Sequence, residues 1–138
     1  MCLVVRKMWE ENDRGQIAFK MLYRQPSGDL VTPFRAAIVE NKRLYGWGPP
    51  DYKKRHLVPN HIENDTSASV LSLIHLYGGA VHCLKTFSEA KRYKRIQSHV
   101  IYEDLDNFEI WMVYGYNVVA ENSGEIAFKE VELISRVS

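Results

Sequence analysis

The residues best suited to chemistry stand in two basic stretches. Residues 44–56 read LYGWGPPDYKKRH. There Tyr45, Trp47 and Tyr52 offer rings on which a base can stack, and Lys53, Lys54 and Arg55 offer phosphate contacts. Residues 91–95 read KRYKR, so Arg92 and Arg95 lie three apart, with Lys91 and Lys94 beside them. Arg24 and Arg35 add guanidinium groups on either side of a turn. The candidate ligand- or partner-binding set is therefore Arg24, Arg35, Trp47, Tyr52, Lys53, Lys54, Arg55, Arg92 and Arg95, and its chemistry is recognition of an anion. The competing reading of the loop is a solvated segment whose Trp47 plugs the edge of the core. If the loop lies beside the 91–95 stretch, the two form an anion-binding groove; the spacing does not decide this.

Covalent catalysis has little to stand on. No Ser-His-Asp order, phosphate loop or paired-carboxylate motif occurs. His56, His61, His75, His82 and His99 are scattered, and the His56–His61 pair has no cysteine or carboxylate at ligand spacing. No catalytic residue, metal or cofactor is assigned. Cys2 would become an N-terminal nucleophile if Met1 were removed, but LVVR after it reads as a strand, so a half-buried strand cysteine is the expectation. Cys2 and Cys83 form no disulfide framework. One enzymatic layout stays open. A strand with Lys20 and Arg24, then GGAVHCLKTFSEAKRY, then VIYEDLD resembles the order of elements in ADP-ribosyltransferases, which implies Glu103 as the acidic residue. No tyrosine or serine completes that set.

These residues must be positioned by a chain of 138 residues, which suits a single domain with one core. Charged residues make up 25% and the net charge is +1. The distribution is uneven. Residues 1–100 carry 16 of the 18 Lys and Arg against 9 acidic residues, a balance of +7, whereas residues 101–138 carry 2 against 8, a balance of −6. Either the chain presents a basic face to an anionic partner, or the two segments neutralise each other across a sheet. No apolar run approaches the roughly 18–20 residues that span a bilayer, and MCLVVRK is too short to be a signal core. The expectation is a cytoplasmic protein with no membrane partner.

QIAFKMLYR alternates Ile17, Phe19, Met21 and Tyr23 against Ala18, Lys20, Leu22 and Arg24, the period of a strand. PSGD is a turn in which Gly28 permits a positive φ, and LVTPFRAAIVE is the returning strand, with Pro33 at an edge or bulge. RLYGWGPPDYKKRH is a long loop. Val70, Leu71, Leu73, Ile74 and Tyr77 recur at helical spacing, which predicts a helix over 66–77 ending at Gly78-Gly79. AVHCL is a buried strand, with His82 a core histidine. Thr86 and Glu89 form a capping box that opens a second helix over 86–97, its apolar face Phe87, Ala90, Tyr93 and Ile96. That box occupies the free N–H groups of the turn and places a carboxylate there, so the turn is structural before it is a phosphate site. HVIYEDL, FEIWMVYGYNVVA and GEIAFKEVELISRV complete the strands. GQIAFK at 15–20 returns as GEIAFK at 124–129, two units whose Ile and Phe should face the core of one sheet. The predicted fold is α+β: one domain, a mostly antiparallel, strongly curved sheet of about 6–8 strands with two helices. Its core includes Val4, Ile17, Phe19, Leu22, Ile38, Leu71, Ile74, Val81, Leu84, Ile110, Met112, Ile126, Phe128 and Val131.

The opening MCL, the strand AFKMLYR, the LVTPFR strand and the unit GAVHCLKTFSEA resemble a group of small uncharacterised phage and prophage proteins, many of which begin Met-Cys-Leu. The resemblance covers residues 1–35 and 78–90. The group's later Pro-Lys-Gly stretch and tyrosine pair are replaced here by MVYGYNVVAENSGEIAFKEVELI. It implies a phage-like origin and a β-rich fold, and carries over no activity. The expected function is that of an accessory, counter-defence type of protein acting by binding. It either sequesters a nucleotide-like anionic ligand or blocks a host protein in the host cytoplasm. A nucleic-acid partner, an ADP-ribosyltransferase-like enzyme and a homo-oligomer stay open.

Overall fold

Alternating sequences of this length make ladders, and the ladders dominate the described residues. The computed structural model describes residues 3–5, 7–8, 14–32, 38–46, 57–59, 80–101 and 107–138. The strands are β1 (Leu3–Val5), β2 (Lys7–Met8), β3 (Gly15–Arg24), β4 (Leu30–Val31), β5 (Arg43–Tyr45), β6 (Leu57–Pro59), β7 (Val81–Leu84), β8 (Phe108–Glu121) and β9 (Glu125–Arg136). Helix α1 (Phe87–Ile101) follows β7. Seven strands form one antiparallel sheet in the order β2-β8-β3-β7-β9-β5, with β4 on β3, while β1 and β6 pair in parallel as a separate ribbon. This is the expected α+β class, with one helix rather than two among the described residues; the predicted helix at 66–77 lies outside them.

The sheet closes on itself. β8 pairs with β3 along one edge, Gly15↔Tyr116 to Tyr23↔Phe108, and with β9 along the other, Trp111↔Arg136 to Glu121↔Ile126. β9 pairs with β7 through Cys83↔Ile126 and its neighbours, and β7 reaches back to β3 at Phe19↔Leu84. Lys20 reinforces that narrow closure from inside: its side chain is buried, and Nζ donates 2.7 Å to the His82 carbonyl. The interior is filled by Ala18, Leu22, Leu44, Val81, Cys83, Val113, Val118, Ile126, Phe128, Val131 and Leu133. Outside, α1 lays Phe87, Ala90 and Tyr93 over Phe19, Leu84 and Ile110.

Local chemistry sets the turns. The Thr86 Oγ1 accepts from the Glu89 N–H at 3.2 Å, the expected N-cap. Gly28 takes φ 94° in the turn after β3, where its N–H donates to the Gln25 carbonyl. Asn41 and Lys42 (φ 50° and 60°) make the two-residue turn between the mutually bonded Glu40 and Arg43. In the β8–β9 turn the Asn122 side chain accepts from the N–H groups of Gly124 and Glu125.

Several expectations are corrected. Ile17 and Ile38 are exposed, at 42% and 52%, not core. The residues of β3 facing the interior are Ala18, Lys20 and Leu22, so Ile17 lies on the outer face, beyond the apolar contacts of α1 with Phe19. Ile96 is likewise exposed at 48%. His99, Val100 and Ile101 belong to α1 rather than to a strand, because a capped helix propagates through β-branched residues at small cost. Among the described residues the returning strand comprises Leu30–Val31, with an isolated Val31↔Ile38 bridge; residues 33–37 lie outside the description. The side chains of Val4, Leu71 and Ile74 lie outside the description.

Two glycines separate steric from conformational demand. A Cβ on Gly115 would stand 2.3 Å from the Phe128 ring, whereas one on Gly28 would meet nothing within 4 Å. In urea denaturation, Gly115→Ala should cost about 3 kcal/mol through overpacking, and Gly28→Ala only about 1 kcal/mol through its positive φ.

Candidate functional site

The polar groups gather in three places. The first is Glu109, which alternation puts among the inward residues of β8 and which is 3% exposed. A carboxylate there needs partners. Arg24 from β3 supplies a two-pronged pair, Nε to Oε2 at 2.9 Å and Nη2 to Oε1 at 3.0 Å. The Trp111 indole N–H donates to Oε1 at 3.0 Å, and Arg136 Nη1 stands 3.6 Å from Oε2. Arg24 also donates from Nη1 to the Gly28 carbonyl. Burial pushes the Glu109 carboxyl up, but the hydrogen bonds from Arg24 and Trp111 and the charges of Arg24 and Arg136 outweigh it and hold it below its ordinary value. The bond to Glu109 raises Arg24 in turn. This cluster ties β3, its following turn and both arms of the long hairpin together.

The second place is the outer face of the sheet beyond the helix. The register aligns Gly15, Tyr116, Glu130 and Tyr45 in one row across β3, β8, β9 and β5, and Ile17, Tyr114, Glu132 and Arg43 in the next. Tyr114 and Tyr116 meet edge to face with centroids 4.8 Å apart. The Arg43 guanidinium lies 5.8 Å from the Tyr116 centroid and donates to Glu130 at 3.0 Å and to Glu132 at 3.2 Å. Tyr116 donates its hydroxyl to Glu132 at 3.1 Å, and that bond raises its pKa. Desolvation works against the Arg43 charge, but Glu132 and Glu130 outweigh it. Tyr45 is 57% exposed.

The third place is α1. Its packing against the sheet leaves Lys91, Arg92, Arg95 and Ile96 exposed and Lys94 half-buried. Lys91 Nζ lies 5.3 Å over the Phe87 ring. At the start of this helix Lys85 pairs with Glu121 at 3.5 Å. Glu125 at the hairpin turn is pushed up by burial, against its hydrogen bond from Asn122, and by the nearby Glu89.

Of the residues selected from sequence, Arg92 and Arg95 stand exposed on one helix, and Arg24 pairs with Glu109. Arg35, Trp47, Tyr52, Lys53, Lys54 and Arg55 lie outside the described residues, as do Cys2 and Glu103, so their adjacency to the helix has no place in the description. The Lys20 of the enzymatic layout is buried on a backbone carbonyl. Glu109, Arg43 and the Tyr114–Tyr116 pair were missed. Their signals were a glutamate in phase with Trp111 and Val113, and the Y-G-Y spacing that puts two rings on one strand face. No described helix is long and apolar enough to cross a membrane. Comparison with protein-family models, curated proteins and solved structures finds no match.

Glu109→Gln should destabilise the fold by about 2 kcal/mol at neutral pH in urea denaturation, because a bidentate charged hydrogen bond is lost. The native carboxyl sits low, so its contribution is full above the unfolded carboxyl value and disappears as pH falls through the folded one; the variant's deficit should shrink in acid. Glu125→Gln should do the reverse. Its raised carboxyl penalises the fold once ionised, so the variant should melt a few degrees higher than the parent at neutral pH and no higher in acid.

Proposed function

We propose that this protein is an accessory binding protein of phage type that engages an anionic partner through the outer face of α1. The observation carrying this reading is the placement of Lys91, Arg92, Lys94 and Arg95 on a helix whose other side, Phe87, Ala90 and Tyr93, is anchored on the sheet. Exposed Lys91, Arg92 and Arg95, with half-buried Lys94 among them, make a positive surface on a fixed support, so little backbone freedom is lost on binding. The charge pattern supports it as well. Arg24, Arg43 and Lys85 from the basic part of the chain pair with Glu109, Glu130, Glu132 and Glu121 from the acidic part. The sheet thus absorbs much of the asymmetry, and α1 is the described element whose basic cluster is turned outward. A binding role of this kind is in keeping with the resemblance of residues 1–35 and 78–90 to small phage proteins, and the setting proposed with it is the host cytoplasm.

The test is the affinity for sodium polyphosphate, measured by calorimetry over a range of KCl concentrations. The parent protein should bind with an affinity that falls steeply with salt. Arg92→Glu with Arg95→Glu should lower the affinity at least tenfold and flatten the salt dependence. Both positions are exposed, so the melting temperature should move by no more than a few degrees. Unchanged binding in a folded double variant would remove α1 as the binding surface.

A further inference from the structure

Among the described residues the helix covers only part of the outer face of β3 and β8, and the rest of that face continues directly from it. Lys91 stands over Phe87, Phe87 packs on Phe19 with centroids 6.0 Å apart, and Ile17 follows on the same face of β3, two residues away. Ile17 pairs across the ladder with Tyr114, Tyr114 meets Tyr116, and Arg43 closes the row over Tyr116. A strip of exposed or half-buried apolar and aromatic surface therefore joins the cations of α1 to the Arg43 guanidinium. Ile17 is 42% exposed and both tyrosines are half-buried.

From this strip we infer that the anionic partner is an unpaired nucleic-acid strand, whose phosphates lie along α1 and whose bases stack on the Ile17–Tyr114–Tyr116 shelf. The inference rests on the anionic reading of α1 and adds the class of ligand to it. Two complementary features carry it. The cations match a phosphate backbone, and half-buried rings on a rigid sheet match the faces of bases in a sequence-tolerant way. A bare polyanion would use only the first. Glu130 and Glu132 bound the shelf on the β9 side, and Arg43 lies between them, bonded to both. They set the limit of the path, which therefore runs from Tyr116 back towards α1. A duplex keeps its base faces stacked inside and cannot use the shelf.

The experiment is fluorescence anisotropy of a labelled oligothymidylate on the full chain at low salt, with sodium polyphosphate and a DNA duplex as unlabelled competitors. The parent protein should bind the single strand more tightly than either competitor. Tyr114→Leu should lower the oligonucleotide affinity about tenfold while leaving polyphosphate affinity unchanged. Tyr114→Phe, which keeps a ring, should bind like the parent, an outcome that a purely structural role of the hydroxyl would not give. Equal affinity for oligonucleotide and polyphosphate, both lost in Arg92→Glu/Arg95→Glu, would overturn the inference while leaving the anionic reading intact. Failure of the oligonucleotide to bind would overturn it as well. So would a dimer in sedimentation that Tyr114→Leu dissolves, since the shelf would then belong to a second copy.

Discussion

Both edges of β8 are occupied, and most of this fold depends on that. A 14-residue strand with β3 on one side and β9 on the other has no edge to offer over most of its length. Because strands twist, the partners of β8 curl towards one another, and the four-residue β7 is enough to bridge them. The bridge to β3 is a single residue pair, which explains the use of a buried lysine. Lys20 reaches from the inner face of β3 to the His82 carbonyl, adding a charge-assisted hydrogen bond where the ladder is thinnest. At the other end the pairings of β4 with β3 and of β5 with β9, linked through Val31↔Ile38 and the Glu40–Arg43 turn, continue the wall.

Closure divides the surface. The inner face receives the aliphatic side chains and Phe128, whose ring lies against the bare backbone of Gly115. The outer face of β3 and β8 is shared between a helix and an aromatic shelf. The sheet supports the shelf through a network of cation–π, hydroxyl–carboxylate and guanidinium–carboxylate contacts that holds Arg43 and Tyr116 in place. Surface pairs of this kind contribute little to stability one by one. Their consequence is order in the side chains of the shelf, which lowers the entropy lost when something docks on it.

The two near-identical hexapeptides show how little a local pattern says about burial. In GQIAFK, Ile17 is 42% exposed and Phe19 lies half-buried under the helix. In GEIAFK, Ile126 and Phe128 are fully buried inside the closed sheet. Both segments belong to the same sheet, with β8 between them on one side and β7 on the other. Alternation assigns two faces to each strand but does not say which of them the closure turns inward.

The elements themselves were legible in the sequence. The alternation of β3, β8 and β9, the turn at Gly28, the buried AVHCL strand and the Thr86 cap each follow from short-range chemistry, as does the outward basic side of α1. A capped helix with apolar residues three apart can orient itself only one way on a sheet. Long-range pairing was not legible. Nothing near Arg24 announces Glu109, 85 residues on, and Arg43 finds Glu130 and Glu132 only because β5 lands beside β9. The basic stretch of residues 1–100 and the acidic stretch of 101–138 were visible as composition, but their neutralisation across the ladders is a matter of register. So is the shelf. The sequence determined by itself which residues alternate, cap and turn, because those preferences act within a few residues. Tertiary structure alone decided which charges are absorbed and which rings keep part of their surface exposed beside the helix, because the closing of the sheet sets both.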